Sequence, residues 1–151
     1  MSRTRIVAAA PQAVWDVLAD FGSISSWAVN VDHSCVLEHG EGDSPLGMSR
    51  RVQVGRNTLV ERITAFTPPG SDGPSVLGYD IEGLPRRLRL LTNRWEVRPT
   101  ADGRTEVRVT STVEIGDNLF ARAAENIVCR AMAKQSDAML TGLAHEMEDS
   151  R

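Results

Sequence analysis

Apolar positions near the start of the chain repeat at helical spacing. Residues 3–9 predict a short first strand, and Pro11 then stands where the first residue of a helix is favoured. The next apolar residues recur about once per helical turn, at Val14, Trp15, Leu18 and Phe21. Gly22 and Ser23 break this pattern, and a second, shorter apolar face follows at Ile24, Trp27, Ala28 and Val31. The pattern therefore predicts two short helices directly after the first strand.

From residue 33 to residue 115 the apolar positions alternate with polar ones, which is typical of half-buried strands. Turn-forming residues interrupt the alternation at 39–47, 55–57, 68–75, 83–87 and 99–103. Six strands with such short connections predict an antiparallel meander, because parallel strands need longer crossover connections. With the strand at 3–9 the sheet has seven strands.

The C-terminal segment predicts one long helix from about 118 to 148, with Asp117 as its N-cap. One broad apolar stripe runs along it, made of Phe120, Ala124, Ile127, Val128, Ala131, Met132, Met139, Leu140, Leu143 and Met147. The opposite face is polar, with Arg122, Glu125, Arg130, Lys134, Asp137 and Glu146. We expect an α+β helix-grip fold, in which a curved seven-stranded sheet wraps around this helix and buries the stripe. We expect the two early helices to close one open end of the curved sheet, where Trp15 and Trp27 cover the interior. Residues 1–151 are expected to form a single domain.

The order of these elements and several short motifs resemble the START-like helix-grip superfamily (SRPBCC), and more narrowly its polyketide cyclase/dehydrase and lipid-transport group. In the first part of the chain the resemblance rests on Pro11, Val14, Trp15, Leu18, Asp20, Ile24 and Trp27, and later on Gly47, Glu61, Pro68 and Tyr79. It covers essentially the whole chain. The resemblance implies a cavity between the sheet and the long helix that holds an apolar or amphipathic small molecule.

Strand alternation places several polar residues on inward faces that are otherwise apolar: Arg50, Glu61, Tyr79, Asn93 and Ser111. A buried charge is costly unless it is paired or hydrated. Arg50 and Glu61 therefore either pair across neighbouring strands, face outward in a different register, or orient the polar end of a ligand in a hydrated cavity. Tyr79 is either a core residue with a satisfied hydroxyl or a ligand contact. The predicted ligand-binding residues are Trp27, Arg50, Glu61, Tyr79, Asn93, Trp95, Ile127 and Ala131.

Composition and charge exclude several other classes of protein. The formal net charge of -3 gives no basic field for nucleic acid, and no apolar stretch is long enough to span a membrane. Cys35 and Cys129 match no metal spacing and are interpreted as buried thiols of a cytoplasmic protein. No metal or cofactor is predicted, and monomer and homodimer both stay open.

Three functions are compatible with the sequence. The favoured one is binding or carriage of a hydrophobic or amphipathic small molecule, similar to a lipid or a polyketide. The alternative is a polyketide cyclase, aromatase or dehydratase that uses Glu61 or Tyr79 as general acid or base and Arg50 to polarise a carbonyl. The third is a regulatory module whose cavity has lost its ligand. For a ligand, we expect access past the 39–47 and 68–75 loops, on the rim opposite the early helices.

Overall fold

The protein is built on one seven-stranded antiparallel sheet, as the computed structural model shows. The structure describes residues 1–70, 72–83, 88–116 and 121–149, with side chains from 125 onward in the last range. The strands are β1 (Ser2–Val7), β2 (His33–Glu38), β3 (Ser49–Val54), β4 (Asn57–Thr67), β5 (Ser75–Glu82), β6 (Leu88–Pro99) and β7 (Thr105–Ile115). Their order across the sheet is β1-β7-β6-β5-β4-β3-β2, so β1 and β2 are the edges. The sheet is curved, and the predicted helix-grip fold is confirmed.

Helix α1 spans Pro11–Ala19, and Pro11 lies at its first position as predicted. The second early helix is a 3-10 helix over Phe21–Ser26, so it starts earlier than predicted and ends before Trp27. Helix α2 spans Ala121–Asp149. The predicted cap Asp117, Phe120 and the side chains of Arg122 and Ala124 lie outside the described residues. No helix in the described ranges is long and apolar enough to cross a membrane.

The inward faces of the strands agree with the predicted alternation. The predicted inward residues are buried on three neighbouring strands: Leu77, Tyr79 and Ile81 on β5, Leu91, Asn93, Trp95 and Val97 on β6, and Val107, Val109 and Ser111 on β7. On β5 the residues Ser75, Val76 and Gly78 are buried as well. Strand β4 follows the same rule up to a bulge between Ile63 and Ala65. Beyond the bulge Phe66 turns inward and packs edge-on against Trp15, with ring centroids 5.2 Å apart.

Only the C-terminal part of the α2 stripe belongs to the core. Met139, Leu140, Leu143 and Met147 are buried, whereas Ile127 is 69% exposed and Ala131 is exposed as well. The prediction that the sheet buries the whole stripe is therefore wrong. The helix packs on β1 and β7 through its later turns, where Arg3 pairs with Asp137 and Arg5 donates to Thr141. Helical periodicity shows which face is apolar, but not how far along the helix the sheet reaches.

The early helices begin on a different rim of the sheet from the one predicted. Strand β1 is antiparallel to β7, and its last residue, Val7, pairs with Thr105 at the start of β7. The Thr105 hydroxyl donates to the carbonyl oxygen of Ala9 at 2.6 Å, which fixes the start of α1 beside the 99–103 loop. The 39–47 and 68–75 loops lie on this same rim, because connections of an antiparallel meander alternate between rims. The expectation that the first helix, α1, starts on the rim of the 55–57 turn is therefore wrong.

Neither cysteine is a buried thiol. Cys35 is exposed because it lies on the edge strand β2, and Cys129 is partly exposed because it lies on the weakly covered first half of α2. Both are free thiols. The described residues contain no group of three or more side chains suited to hold a metal ion.

Candidate functional site

A cavity of about 170 Å³, partly open to solvent, lies between the inward faces of β3–β6, the segment after the 3-10 helix, and α2. Most of its wall is apolar, formed by Ile24, Val31, Val52, Val54, Leu59, Ile81, Leu91, Met132 and Met139. Five polar side chains complete the wall: Asn30, Asn57, Glu61, Asn93 and Gln135. The space is thus an apolar pocket with a few separate polar positions.

The cavity runs along β4 from a deep end to a mouth. Glu61, Leu59 and Asn57 succeed one another on the inward face of β4, and four residues of strand span about 13 Å. We place the mouth at the turn between β3 and β4, because the lining residue Asn57 beside this turn is exposed, whereas Glu61 further along β4 is buried. The deep end lies near Phe21, whose carbonyl oxygen accepts a hydrogen bond from Arg50. The mouth is therefore on the rim opposite α1, which contradicts the predicted access past the 39–47 and 68–75 loops.

The eight predicted site residues separate into three groups. Glu61 and Asn93 line the cavity. Trp27, Arg50, Tyr79 and Trp95 are buried in the wall behind its lining residues. Ile127 and Ala131 are exposed and do not belong to the lining, because only the later turns of α2 pack on the sheet.

Arg50 and Glu61 form a buried ion pair at the deep end. The two residues are direct neighbours on β3 and β4, and the Arg50 Nε lies 2.6 Å from Glu61 Oε2. A second guanidinium nitrogen, Nη1, donates to the Phe21 carbonyl oxygen at 2.8 Å. The guanidinium also packs against two rings, 3.8 Å from the Phe21 centroid and 4.8 Å from that of Tyr79. The expected cross-strand pair is thus present, and Glu61 also faces the cavity.

Tyr79 is the centre of a buried hydrogen-bond network beside this pair. Its hydroxyl oxygen accepts from the Trp95 indole nitrogen at 3.2 Å and from the Asn93 amide nitrogen at 3.4 Å. The Asn93 carbonyl oxygen accepts in turn from the Ser111 hydroxyl at 2.6 Å. Each polar group thus has a partner, which is what burial of such groups requires. Tyr79 is a core residue with a satisfied hydroxyl that holds the Asn93 amide in place.

Burial raises the pKa of the Tyr79 phenol above its ordinary value of 10.0, and the negative charge of Glu61 raises this pKa further. The unfolded chain therefore loses the phenol proton at a lower pH than the folded protein does. The stability from this group is complete below pH 10.0 and declines as the pH rises above it. We expect the stability advantage of the wild type over Tyr79→Phe to shrink above this pH. Urea denaturation of both proteins across the alkaline range measures it, and a constant difference would contradict the assignment.

Asn30 and Gln135 form a polar contact across the cavity. The sequence did not predict this contact. The Asn30 amide nitrogen donates to Gln135 Oε1, joining the segment before β2 to α2. The other end of the Asn30 amide, Oδ1, is buried and has no hydrogen-bond partner among the described residues. Asn30 lies outside any periodic strand or helix face, so no pattern in the sequence identifies it. Gln135 adjoins the apolar stripe of α2, but its polar side chain looks like a surface residue.

The family model described as polyketide cyclase/dehydrase and lipid transport matches residues 1–148. The chain belongs to this family. Its membership confirms the resemblance drawn from Trp15, Trp27, Glu61 and Tyr79. Members of this family are associated with binding hydrophobic small molecules.

Solved structures with the same fold cover nearly the whole chain. A START superfamily protein from Mycobacterium smegmatis has a TM-score of 0.73 and 14% identity, covering 100% of this chain and 98% of that one. The Zhui aromatase/cyclase from Streptomyces sp. R1128 has a TM-score of 0.77 and 21% identity, covering 98% and 92%. The di-domain ARO/CYC BexL from the BE-7585A biosynthetic pathway has a TM-score of 0.77 and 17% identity, covering 98% of this chain and 46% of BexL. At these identities the similarity shows the fold. No curated protein gives a match.

Proposed function

We propose that this protein binds a compact, largely apolar small molecule in the cavity between the sheet and α2. The observation that carries the proposal is the cavity of about 170 Å³ with nine apolar and five polar lining residues. Ligand sites typically combine such apolar walls with a few polar groups that fix orientation. An apolar cavity of about 150 Å³ accommodates a benzene ring, so one or two fused rings suit this space, the second reaching toward the open mouth.

A substitution on the cavity wall tests this proposal. In Leu59→Trp the larger side chain fills the space halfway along the cavity, and we expect the affinity for naphthalene to fall at least about tenfold. The matched control is Val60→Trp, since the neighbouring residue on the same strand points to the opposite face of the sheet and does not line the cavity. Calorimetric titration measures both. Equal affinities in the two variants, or no binding to the wild type, would contradict the proposal.

A second candidate function is cyclisation of a polyketide-like substrate with Glu61 as general base. It is favoured by the position of the Glu61 carboxylate on the cavity wall and by the fold shared with the Zhui aromatase/cyclase. Its weakness is that Glu61 Oε2 is already bound to Arg50, and that Arg50 is committed to Glu61 and Phe21. If Glu61 is the base, Glu61→Gln abolishes turnover of a β-keto thioester and leaves its binding nearly intact. A loss of affinity without any wild-type turnover assigns Glu61 to binding alone.

A further inference from the structure

The charge at the deep end of the cavity is negative on the side that faces the ligand. Glu61 lines the cavity, whereas its partner Arg50 is not part of the lining and is only 2% exposed. The guanidinium is covered by the rings of Phe21 and Tyr79, and its charge is already matched by the carboxylate. A ligand therefore meets the carboxylate of Glu61 first, whose Oε2 accepts a hydrogen bond from Arg50 Nε.

The second polar position is also an acceptor. Asn30 uses its amide nitrogen to bind Gln135, which leaves the carbonyl oxygen Oδ1 buried and without a described partner. A buried acceptor without a donor is destabilising, so a rotation of the Asn30 side chain that brings Oδ1 to a donor on the ligand is favourable here. The deep amide of Asn93, in contrast, is held at both ends by Tyr79 and Ser111.

An anionic head group has no matching site in this arrangement. A carboxylate at the deep end would lose its hydration and approach the carboxylate of Glu61, and like charges in such a site repel strongly. Among the described residues the cation at the deep end is Arg50, which a ligand could reach only by displacing Glu61 or the covering rings. A neutral hydroxyl meets no such penalty and can donate to Glu61, or to Asn30 after rotation of the Asn30 side chain.

We propose that the natural ligand is a neutral hydroxylated compound of one or two rings, a phenol or a cyclic alcohol, and that carboxylates are excluded. This inference rests on the proposed function, because it concerns the same cavity. On this proposal the cavity selects ligands that donate a hydrogen bond.

A series of naphthalene derivatives substituted at one ring carbon separates the two proposals. We expect naphthol to bind about tenfold or more tightly than naphthalene and methoxynaphthalene, because a hydrogen bond to a charged acceptor contributes about that factor. Naphthoate should bind at least about tenfold more weakly than naphthalene. Equal binding of naphthol and methoxynaphthalene, or tightest binding of naphthoate, overturns this inference and leaves the proposed function standing. Failure of all four compounds to bind overturns both.

Two variants identify the residues that cause the preference for naphthol and the exclusion of naphthoate. In Glu61→Gln the cavity loses its negative charge and Arg50 keeps its positive one, so naphthoate should gain at least about tenfold and naphthol should lose affinity. In Asn30→Ala the buried acceptor is removed, and the advantage of naphthol over methoxynaphthalene should fall. The matched control is Asn126→Ala, since this asparagine is exposed on α2 and does not line the cavity, so the preference should stay unchanged. Because Glu61→Gln leaves a buried cation unpaired and can impair folding, the comparison of Asn30→Ala with Asn126→Ala tests the proposal independently. An unchanged naphthol preference in Asn30→Ala and Glu61→Gln overturns it.

Discussion

Replacing Arg50 with methionine is expected to lower the free energy of unfolding by about 3–5 kcal/mol, the usual cost of leaving one partner of a buried ion pair uncompensated. In this variant Glu61, a residue that is 7% exposed, loses the guanidinium that lies 2.6 Å from its carboxylate. The Phe21 carbonyl oxygen loses its donor as well. Methionine retains most of the apolar volume, so loss of charge and hydrogen bonds accounts for the effect.

Two controls make this result specific. Arg51→Met alters the next residue of β3, which is exposed on the outer face, and should change stability by no more than about 0.5 kcal/mol. The double variant Arg50→Met/Glu61→Leu removes both charges and should recover most of the loss, since a buried ion pair can often be replaced by apolar residues at little cost. Urea denaturation measures all three. If Arg50→Met resembles Arg51→Met, the pair does not stabilise the sheet.

Gly142→Ala is expected to destabilise the protein by about 1–3 kcal/mol, although alanine is favoured over glycine in a helix. Gly142 lies in α2 where the helix passes over the segment after the 3-10 helix. A Cβ at this position would overlap the carbonyl oxygen of Trp27 and lie 3.1 Å from the backbone nitrogen of Val29. Since these are backbone atoms, the helix must shift to accept the methyl group.

Helix propensity alone predicts the opposite sign, a gain of up to about 1 kcal/mol for this substitution. Ala131→Gly on the same helix provides the reference, because Ala131 is exposed, and it should cost about 1 kcal/mol. Chemical denaturation of both variants decides between the two effects. A Gly142→Ala protein more stable than the wild type would show that α2 does not approach Trp27 this closely.

The sequence was sufficient to predict the structural features that depend on a repeating pattern of residues along the chain. Period-two alternation identified the inward residues of β5, β6 and β7, and the position of Pro11 located the start of α1. It also placed Arg50 and Glu61 on inward faces, because strand alternation is independent of what covers the sheet. Their pairing then follows from adjacency in a short hairpin, β3 to β4.

Features that depend on how the helices and strands pack against one another could not be predicted from the sequence pattern. The exposure of Ile127 depends on where α2 leaves the sheet, and the rim on which α1 lies depends on the pairing of β1 with β7 over about one hundred residues of chain. Asn30 acquires its role only because α2 brings Gln135 beside it. None of these contacts has a periodic signal, since each joins residues that are far apart in the sequence.

Methyl-resolved NMR during titration with naphthol tests the central claim, that the cavity beside α2 is the binding site. Ile81, Met132 and Met139 line the cavity and carry methyl groups that report on its occupancy. Ile6 on the edge strand β1 and Met147 near the end of α2 are reference methyls outside it. We expect saturable shifts at Ile81, Met132 and Met139 with Ile6 and Met147 unchanged, and loss of those shifts in Leu59→Trp. Saturable shifts confined to Ile6 or Met147, or no shift at the cavity methyls at saturating naphthol, would contradict it.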